Sequence, residues 1–231
     1  MTQELTAEEQ WKIDHWGMFS ASEIFKLRIE GKAPKGTTDK PMFGDTAMGY
    51  VKKIARQAYT SFNERDLVET YDMKMGKINE PLAYSHLYQL LGLKELEYYG
   101  GANPKFFKYC NDSGSSPDVR AAKEDGSTSF VCELKCPKDD THFDYLLDIK
   151  NAEDLKNMSD EYYAQCQFNM MALKCDLCLW CSFAEFYPFR DRMLIIEVPA
   201  DKNYQANLDI RLQNGVKKKY EYIEQLKTRL Q

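Results

Sequence analysis

Two stretches of the chain carry residues suited to acid and metal chemistry. Ser116-Pro117-Asp118 comes first; after a Gly/Ser turn, Glu133-Leu134-Lys135-Cys136-Pro137 follows. A strand sends residues i and i+2 to the same face. A strand over residues 129–136 therefore presents Glu133 and Lys135 together and turns Cys132, Leu134 and Cys136 the other way. With Asp118 on a neighbouring strand, two carboxylates and an ammonium share one locale. Oxygen ligands of that kind suit Mg²⁺, and a lysine can stabilise charge on a phosphate. Glu80, on a preceding helix, is the fourth candidate. Two Mg²⁺ ions about 4 Å apart could clamp a scissile phosphate if Asp118 bridged them. Glu133 and the backbone carbonyl of Leu134 would complete one shell, and Glu80 would serve the other. Lys135 would orient the attacking water or offset charge on the pentavalent phosphate. The same short pattern also fits a turn capped by Asp118 and a Glu133–Lys135 pair on a solvated face, so spacing alone leaves both readings open.

The bulk numbers frame the site without choosing its substrate. At 231 residues, with 43% hydrophobic and 29% charged residues, the chain has the composition of a globular protein with one substantial core. No apolar run approaches the roughly 18 residues that span a bilayer, and the acidic N-terminal stretch does not read as a signal peptide. Seven scattered cysteines favour reduced thiols in a cytoplasmic setting over a disulfide framework. A net charge of −5 argues against a protein that coats nucleic acid, though a local basic groove can coexist with an acidic exterior.

The elements that must position the site follow from periodicity. Ser20-Ala21-Ser22-Glu23 can cap a short helix through Ile24, Phe25 and Leu27, and residues 31–38 form a loop. Helical spacing runs over residues 46–59 and again over 72–91, with Met75, Ile78, Leu82, Ala83, Leu87 and Leu90 inward and a bend or fresh start at Pro81. Four short segments, 93–99, 106–110, 117–122 and 129–136, read as a strand meander. A helix over 160–173, strands over 177–186 and 193–198, and a closing helix over 204–231 complete one α/β domain, a mixed central sheet with helices outside. Ile210, Leu212, Tyr220, Ile223 and Leu226 are the apolar members of that last helix.

Several motifs join the acids in order: Trp11, Gly17 and Ser20-Ala21-Ser22; Met75-Gly76 through Glu80; Ser116-Pro117-Asp118; Glu133-Leu134-Lys135-Cys136-Pro137; Tyr163-Ala164-Gln165-Cys166-Gln167; then Trp180 and Phe183. Together they resemble the phage lambda exonuclease branch of the PD-(D/E)xK nucleases, the YqaJ-type viral recombinase family, over nearly the whole chain. The resemblance implies a restriction-endonuclease-like α/β core and one nuclease domain. Residues 1–65 would be its helical part at the DNA end, 66–200 the catalytic core and 201–231 the C-terminal helix. It implies a Mg²⁺-dependent 5′→3′ exonuclease on linear double-stranded DNA that releases mononucleotides and leaves a 3′ overhang. It further implies a single-strand annealing partner, a trimeric ring and a phage or prophage origin in a bacterial cytoplasm; Mn²⁺ is a chemically plausible substitute. Carried over residue by residue, Asp118, Glu133 and Glu80 are metal ligands and Lys135 the catalytic lysine. Gln165 places the nucleophilic water, and Ser22 and Ser116 receive the 5′-phosphate. One position departs: His15 stands where the family has an arginine for that phosphate. Neutral imidazole is a poor substitute for a guanidinium, so Lys12, Lys26 or Arg28 would supply the charge, or the preference for a 5′-phosphate would weaken.

The remaining features read blandly. Cys175, Cys178 and Cys181 belong to a buried strand, with Cys175 and Cys181 on one face and Cys178 on the other, rather than to a metal cluster. His86 and His142 read as surface or helix-packing residues. Residues 186–190 read as a turn, and Lys217-Lys218-Lys219 and Lys52-Lys53 with Arg56 are candidate linings of a DNA channel. Two rival functions stay open: a structure-specific or restriction-type endonuclease on the same core, and a catalytically inactive scaffold that binds DNA ends.

Overall fold

The computed structural model of the chain describes residues 5–62, 71–92, 95–101 and 103–229. Its main sheet has five strands in the order β2-β5-β6-β7-β8: Leu96–Tyr98, Val119–Ala122, Thr128–Lys135, Leu177–Phe183 and Met193–Pro199. β6 and β7 pair in parallel, with Glu133 opposite Trp180 and Lys135 opposite Ser182. The other pairings are antiparallel. Because β6 is covered on both sides, its residues alternate between two cores. Val131 packs on one side, and Cys132 and Leu134 pack on the other.

A parallel pair needs a crossover, supplied here by three helices: α4 (Asp139–Asp148), α5 (Ala152–Met158) and α6 (Asp160–Leu173). Ser159 caps α6 by accepting from the Tyr162 amide, and Lys174 ends it at a positive φ of 55°. Every residue from Tyr163 to Met170 is buried, as expected of a helix enclosed on all sides. It touches the main sheet through β6 and β7, and a second, three-stranded sheet through β3 (Phe107–Cys110) and β4 (Ser113–Ser115). β1 (Phe19–Ser20) pairs in parallel with β4, which pairs antiparallel with β3. After β1 the chain turns into a 3₁₀ helix, Ala21–Arg28, buried through Ala21, Ile24 and Leu27. Three further helices close the fold: α1 (Ala7–His15), α2 (Asp45–Tyr59) and α3 (Tyr71–Leu91), with the long α7 (Lys202–Thr228) packed on α2.

The sequence-based expectations meet several corrections. The four middle segments are not one meander: the 106–110 segment, as β3, joins the small sheet with β4, a strand not expected from the sequence, which puts α6 between two sheets rather than outside one. α3 runs through Pro81 as a single helix. Ala83 and Leu87 are buried, whereas Ile78, Leu82 and Leu90 are exposed, because the inward stripe runs through Ala83 and Leu87 and the apolar residues form a wider band than the sheet covers. On α7 the buried stripe is Leu208, Leu212, Gly215, Lys219 and Ile223, leaving Ile210, Tyr220 and Leu226 exposed. Cys175 lies before β7, so strand alternation does not apply to it; it shares a core with Cys178, while Cys181 faces the other. Residues 184–192 do form the connection between β7 and β8. The boundary between residues 65 and 66, the start of the 93–99 segment and the last two residues of the 204–231 segment fall outside the described residues.

Lys219 is not a channel lysine. It is 4% exposed and donates to the Gly17 carbonyl at 2.9 Å and to Asp112 Oδ1 at 2.6 Å, which pins α7 to the turn between β3 and β4. Removing one partner of a buried ion pair leaves the other charge uncompensated, at about 3–5 kcal/mol. Lys219→Ala should therefore lower the thermal midpoint by several degrees at least. An unchanged midpoint would return Lys219 to the solvated surface.

Candidate active site

Glu133 is 3% exposed. A buried carboxylate needs donors on both oxygens, and β6 and α6 provide them. Lys135 Nζ and Gln165 Nε2 donate to Oε1 at 2.8 and 2.6 Å, and Asn169 Nδ2 donates to Oε2 at 2.9 Å. Lys135 also donates to Gln165 Oε1 at 3.0 Å and lies 5.0 Å from the centre of the Tyr162 ring. Tyr162, Gln165 and Asn169 occupy one stripe of α6 at spacings of three and four, so a single helix face grips Glu133 and shapes the cover over Lys135. Gln167 points elsewhere, bridging the end of β8 and the start of α7. Burial alone would depress the Lys135 pKa, but Glu133 and Asp118 outweigh it and raise the ammonium's pKa.

Asp118 sits where β5 begins. Its amide donates to the Cys132 carbonyl at 3.2 Å, and its Oδ2 accepts from the Leu134 amide at 2.6 Å. A strand residue's N–H and C=O point to the same edge, so the Leu134 carbonyl faces the side on which Asp118 lies. Burial, then repulsion from Glu133 and Glu80, raises the Asp118 pKa well above the usual carboxylate range. Burial and Glu133 likewise raise Glu80, while the Gly101 amide pulls it down. Three mutually repelling acids invite a compensating cation. Among the described residues no three His, Cys, Asp or Glu side chains form a ready-made ion cage. That donor set suits Mg²⁺, which commonly binds through one or two carboxylates, retained waters and substrate phosphate. Asp118, Glu133, Glu80 and the Leu134 carbonyl therefore fit the ion expected of them.

The residues expected at a 5′-phosphate divide. β1 and β4 are parallel, with Ser20 opposite Gly114, so the chain segments bearing Ser22 and Ser116 leave the small sheet at the same end. Trp11 Nε1 donates to Ser116 Oγ at 2.7 Å, and Ser22 is exposed, its hydroxyl 3.2 Å from that of Ser20. His15 packs between Trp11 and Phe106, ring centroids 5.0 and 5.5 Å away. Burial depresses its pKa to about 4, so it is an uncharged imidazole at neutral pH. Arg28 is engaged elsewhere, bound to Asp160 and the Tyr204 hydroxyl and lining a separate cavity with Lys32 and Arg211. Lys26 and Lys53 both pair with Glu23 on the 3₁₀ helix, at 2.5 and 2.6 Å; Lys53 also acts electrostatically on His15.

The two other histidines are buried. His142 is fully enclosed, 2.8 Å from both Ser182 Oγ and the Asp191 carbonyl, and so joins α4 to the β7–β8 connection. The bond to a carbonyl requires Nε2–H, leaving Nδ1 to accept from Ser182. His86 packs against Phe183 and Phe189.

A mixed sheet whose parallel pair presents Glu133 and Lys135 beneath an enclosed helix, with Asp118 at the neighbouring strand, defines the α/β core of the PD-(D/E)xK nucleases. Residues 44–175 match the YqaJ-like viral recombinase domain, and the chain belongs to that family. The alkaline exonuclease LHK-Exo from Laribacter hongkongensis superposes with a TM-score of 0.73 at 18% identity, covering 96% of this chain and 97% of that one. Its complex with dAMP gives 0.74 at the same identity and coverage. A phage-related exonuclease from Haemophilus somnus 129PT gives 0.68 at 14% identity, covering 90% and 96%. At these identities the likeness is one of fold. No curated protein sequence matches.

Asn169 escaped the sequence reading, although it follows Gln165 by four residues and so lies on the same helix face. Its Oδ1 accepts from Ser115 at 2.6 Å while its Nδ2 holds Glu133. Residues that orient a metal ligand typically carry 10–100-fold in affinity or activity. Asn169→Ala should lower turnover by about that factor with the chain still folded, and turnover within twofold of the parent would exclude the role. His15 gives a pH signature. The unfolded imidazole protonates near 6.5 and the folded one near 4. Below pH 6.5 the unfolded chain binds more protons, so stability is lost as pH falls through that interval. His15→Gln should flatten this part of the thermal-midpoint profile, and an unaltered profile would contradict the burial of His15.

Proposed function

We propose that the protein is a deoxyribonuclease of phage-type recombination that digests linear double-stranded DNA from the 5′ end, releasing mononucleotides and leaving a 3′ overhang. The observation that carries this reading is the Lys135 ammonium held between Glu133 and Gln165, beside Asp118 and within the field of Glu80. Membership of the YqaJ-like family and the exonuclease fold support it. Two Mg²⁺ ions, with Mn²⁺ as a substitute, would be held by Asp118, Glu133, the Leu134 carbonyl and Glu80. Bound there, they would supply Lewis-acid activation of water and neutralise phosphate charge. The chain's own groups do the rest. Lys135 places a positive charge where negative charge grows on the phosphate, and with Gln165 it orients the attacking water. Tyr162, its ring centre 5.0 Å from Lys135 Nζ, limits the freedom of Lys135 and itself packs on the buried Trp180, ring centroids 5.7 Å apart.

Polarity would be set at the neighbouring end of the small sheet. There Ser22 and Ser116 offer hydroxyls, and the 3₁₀ helix begins with no side-chain cap, an arrangement that favours an anion. With His15 neutral, positive charge would come from lysines such as Lys53. A trimeric ring, an annealing-protein partner and action inside a bacterial host belong to the same proposal and rest on family membership. Among the described residues no helix is long and apolar enough to cross a membrane.

The test is digestion of linear duplex DNA labelled in turn at each end, with Mg²⁺ or EDTA, and with a closed circle alongside. Metal-dependent release of 5′ label as mononucleotide with the circle intact is expected. A cut circle would instead make the protein an endonuclease, and binding without cleavage would make it a scaffold. His15→Arg should sharpen the preference for 5′-phosphorylated over 5′-hydroxyl ends, and equal rates on both ends in both forms would refute the 5′-phosphate role of this position.

A further inference from the structure

α2 and α7 leave between them an open cavity of about 610 Å³, within the size range of pockets that hold small organic groups. Lys52, Arg56 and Tyr59 line it from α2, and Tyr222, Leu226 and Arg229 from α7. The spacings on each helix are three, four and seven residues, so each helix offers one continuous stripe. Tyr59 is 40% and Leu226 41% exposed. The Tyr222 ring is flanked by ammoniums: Lys52 Nζ and Lys218 Nζ each lie 5.6 Å from its centre. Among the described residues no carboxylate lines the cavity, in a chain with 36 acidic and 31 basic residues. Cations near helix C-termini complement the helix dipole, which accounts for Arg56 and Arg229 but not for Lys52 or for two tyrosines beside them.

We infer that this groove binds unpaired single-stranded DNA, with phosphates on Lys52 and Arg229 and bases against Tyr59 and Tyr222. The inference extends the DNA-directed reading above to a second surface. Aromatic rings select the unpaired strand, because only there are base faces open for stacking, and the cations track its backbone without sequence preference. A duplex keeps its bases stacked and would use the cations alone.

The experiment measures fluorescence anisotropy of a short labelled oligothymidylate, and of a duplex of equal length, on the full chain in EDTA so that nothing is cleaved. Tyr222→Ala should weaken single-strand binding about fivefold or more, with Tyr222→Phe near the parent and duplex affinity unchanged. Arg229→Glu should weaken single-strand binding and flatten its salt dependence. Photocrosslinking with an iodouracil-substituted strand should place adducts on Tyr59 or Tyr222, a readout that does not depend on how well a variant folds. Adducts only elsewhere, undiminished single-strand binding by Tyr222→Ala, or an equal loss for duplex and single strand would overturn the assignment. Because binding is read without metal, absence of nuclease activity in the parent would sink the catalytic reading while this result still stood on its own.

Discussion

Burial of the Glu133 carboxylate is the constraint around which the structure is organised. An ion taken out of water without partners costs several kcal/mol, so the fold must bring donors to both oxygens. Lys135 comes from the same strand face, and Gln165 and Asn169 come from α6. Asn169 then reaches Ser115 of the small sheet. One carboxylate thus fixes the register of a helix on a sheet and ties the second sheet to both. The enclosure of α6, buried through eight consecutive residues, follows from that position.

Chemistry and fold make opposing demands here. Packing Asp118 and Glu80 near Glu133 raises the pKa of both through burial and repulsion, a cost that the Leu134 amide and Lys135 only partly offset. The small sheet solves a different problem. Two parallel strands bring the segments bearing Ser22 and Ser116 out at one end, and Trp11 ties α1 to Ser116. The buried Lys219–Asp112 pair, with Gly17, holds α7 against the same region.

Much of this was legible in the sequence. The period-two rule alone put Glu133 and Lys135 on one face, and helical spacing over residues 160–173 delimited α6. The ordered motifs pointed to the family. What escaped shares a physical cause: local pattern does not report tertiary partners. β1 has two residues and β4 three, too short for any period to show. Lys219 looks solvated because lysine usually is, and only the approach of Asp112 from over a hundred residues away makes its burial tolerable. His142 reads as a surface or a helix-packing residue, and the approach of Ser182 and the Asp191 carbonyl decides for the buried one. Ile78, Leu82 and Leu90 fit helical spacing as well as Ala83 and Leu87 do, and the choice between stripes belongs to the sheet beneath.

On the reading proposed above, the acids around Glu133 form a divalent-cation site made by this fold. Calorimetric titration of Mn²⁺ into the metal-free parent, Asp118→Asn and Glu133→Gln, in buffers of different ionisation enthalpy, addresses it directly. Binding by the parent with release of protons from the raised carboxyls is expected, as is loss of that binding in both variants. Binding of undiminished affinity in either variant, with each still folded, would contradict it.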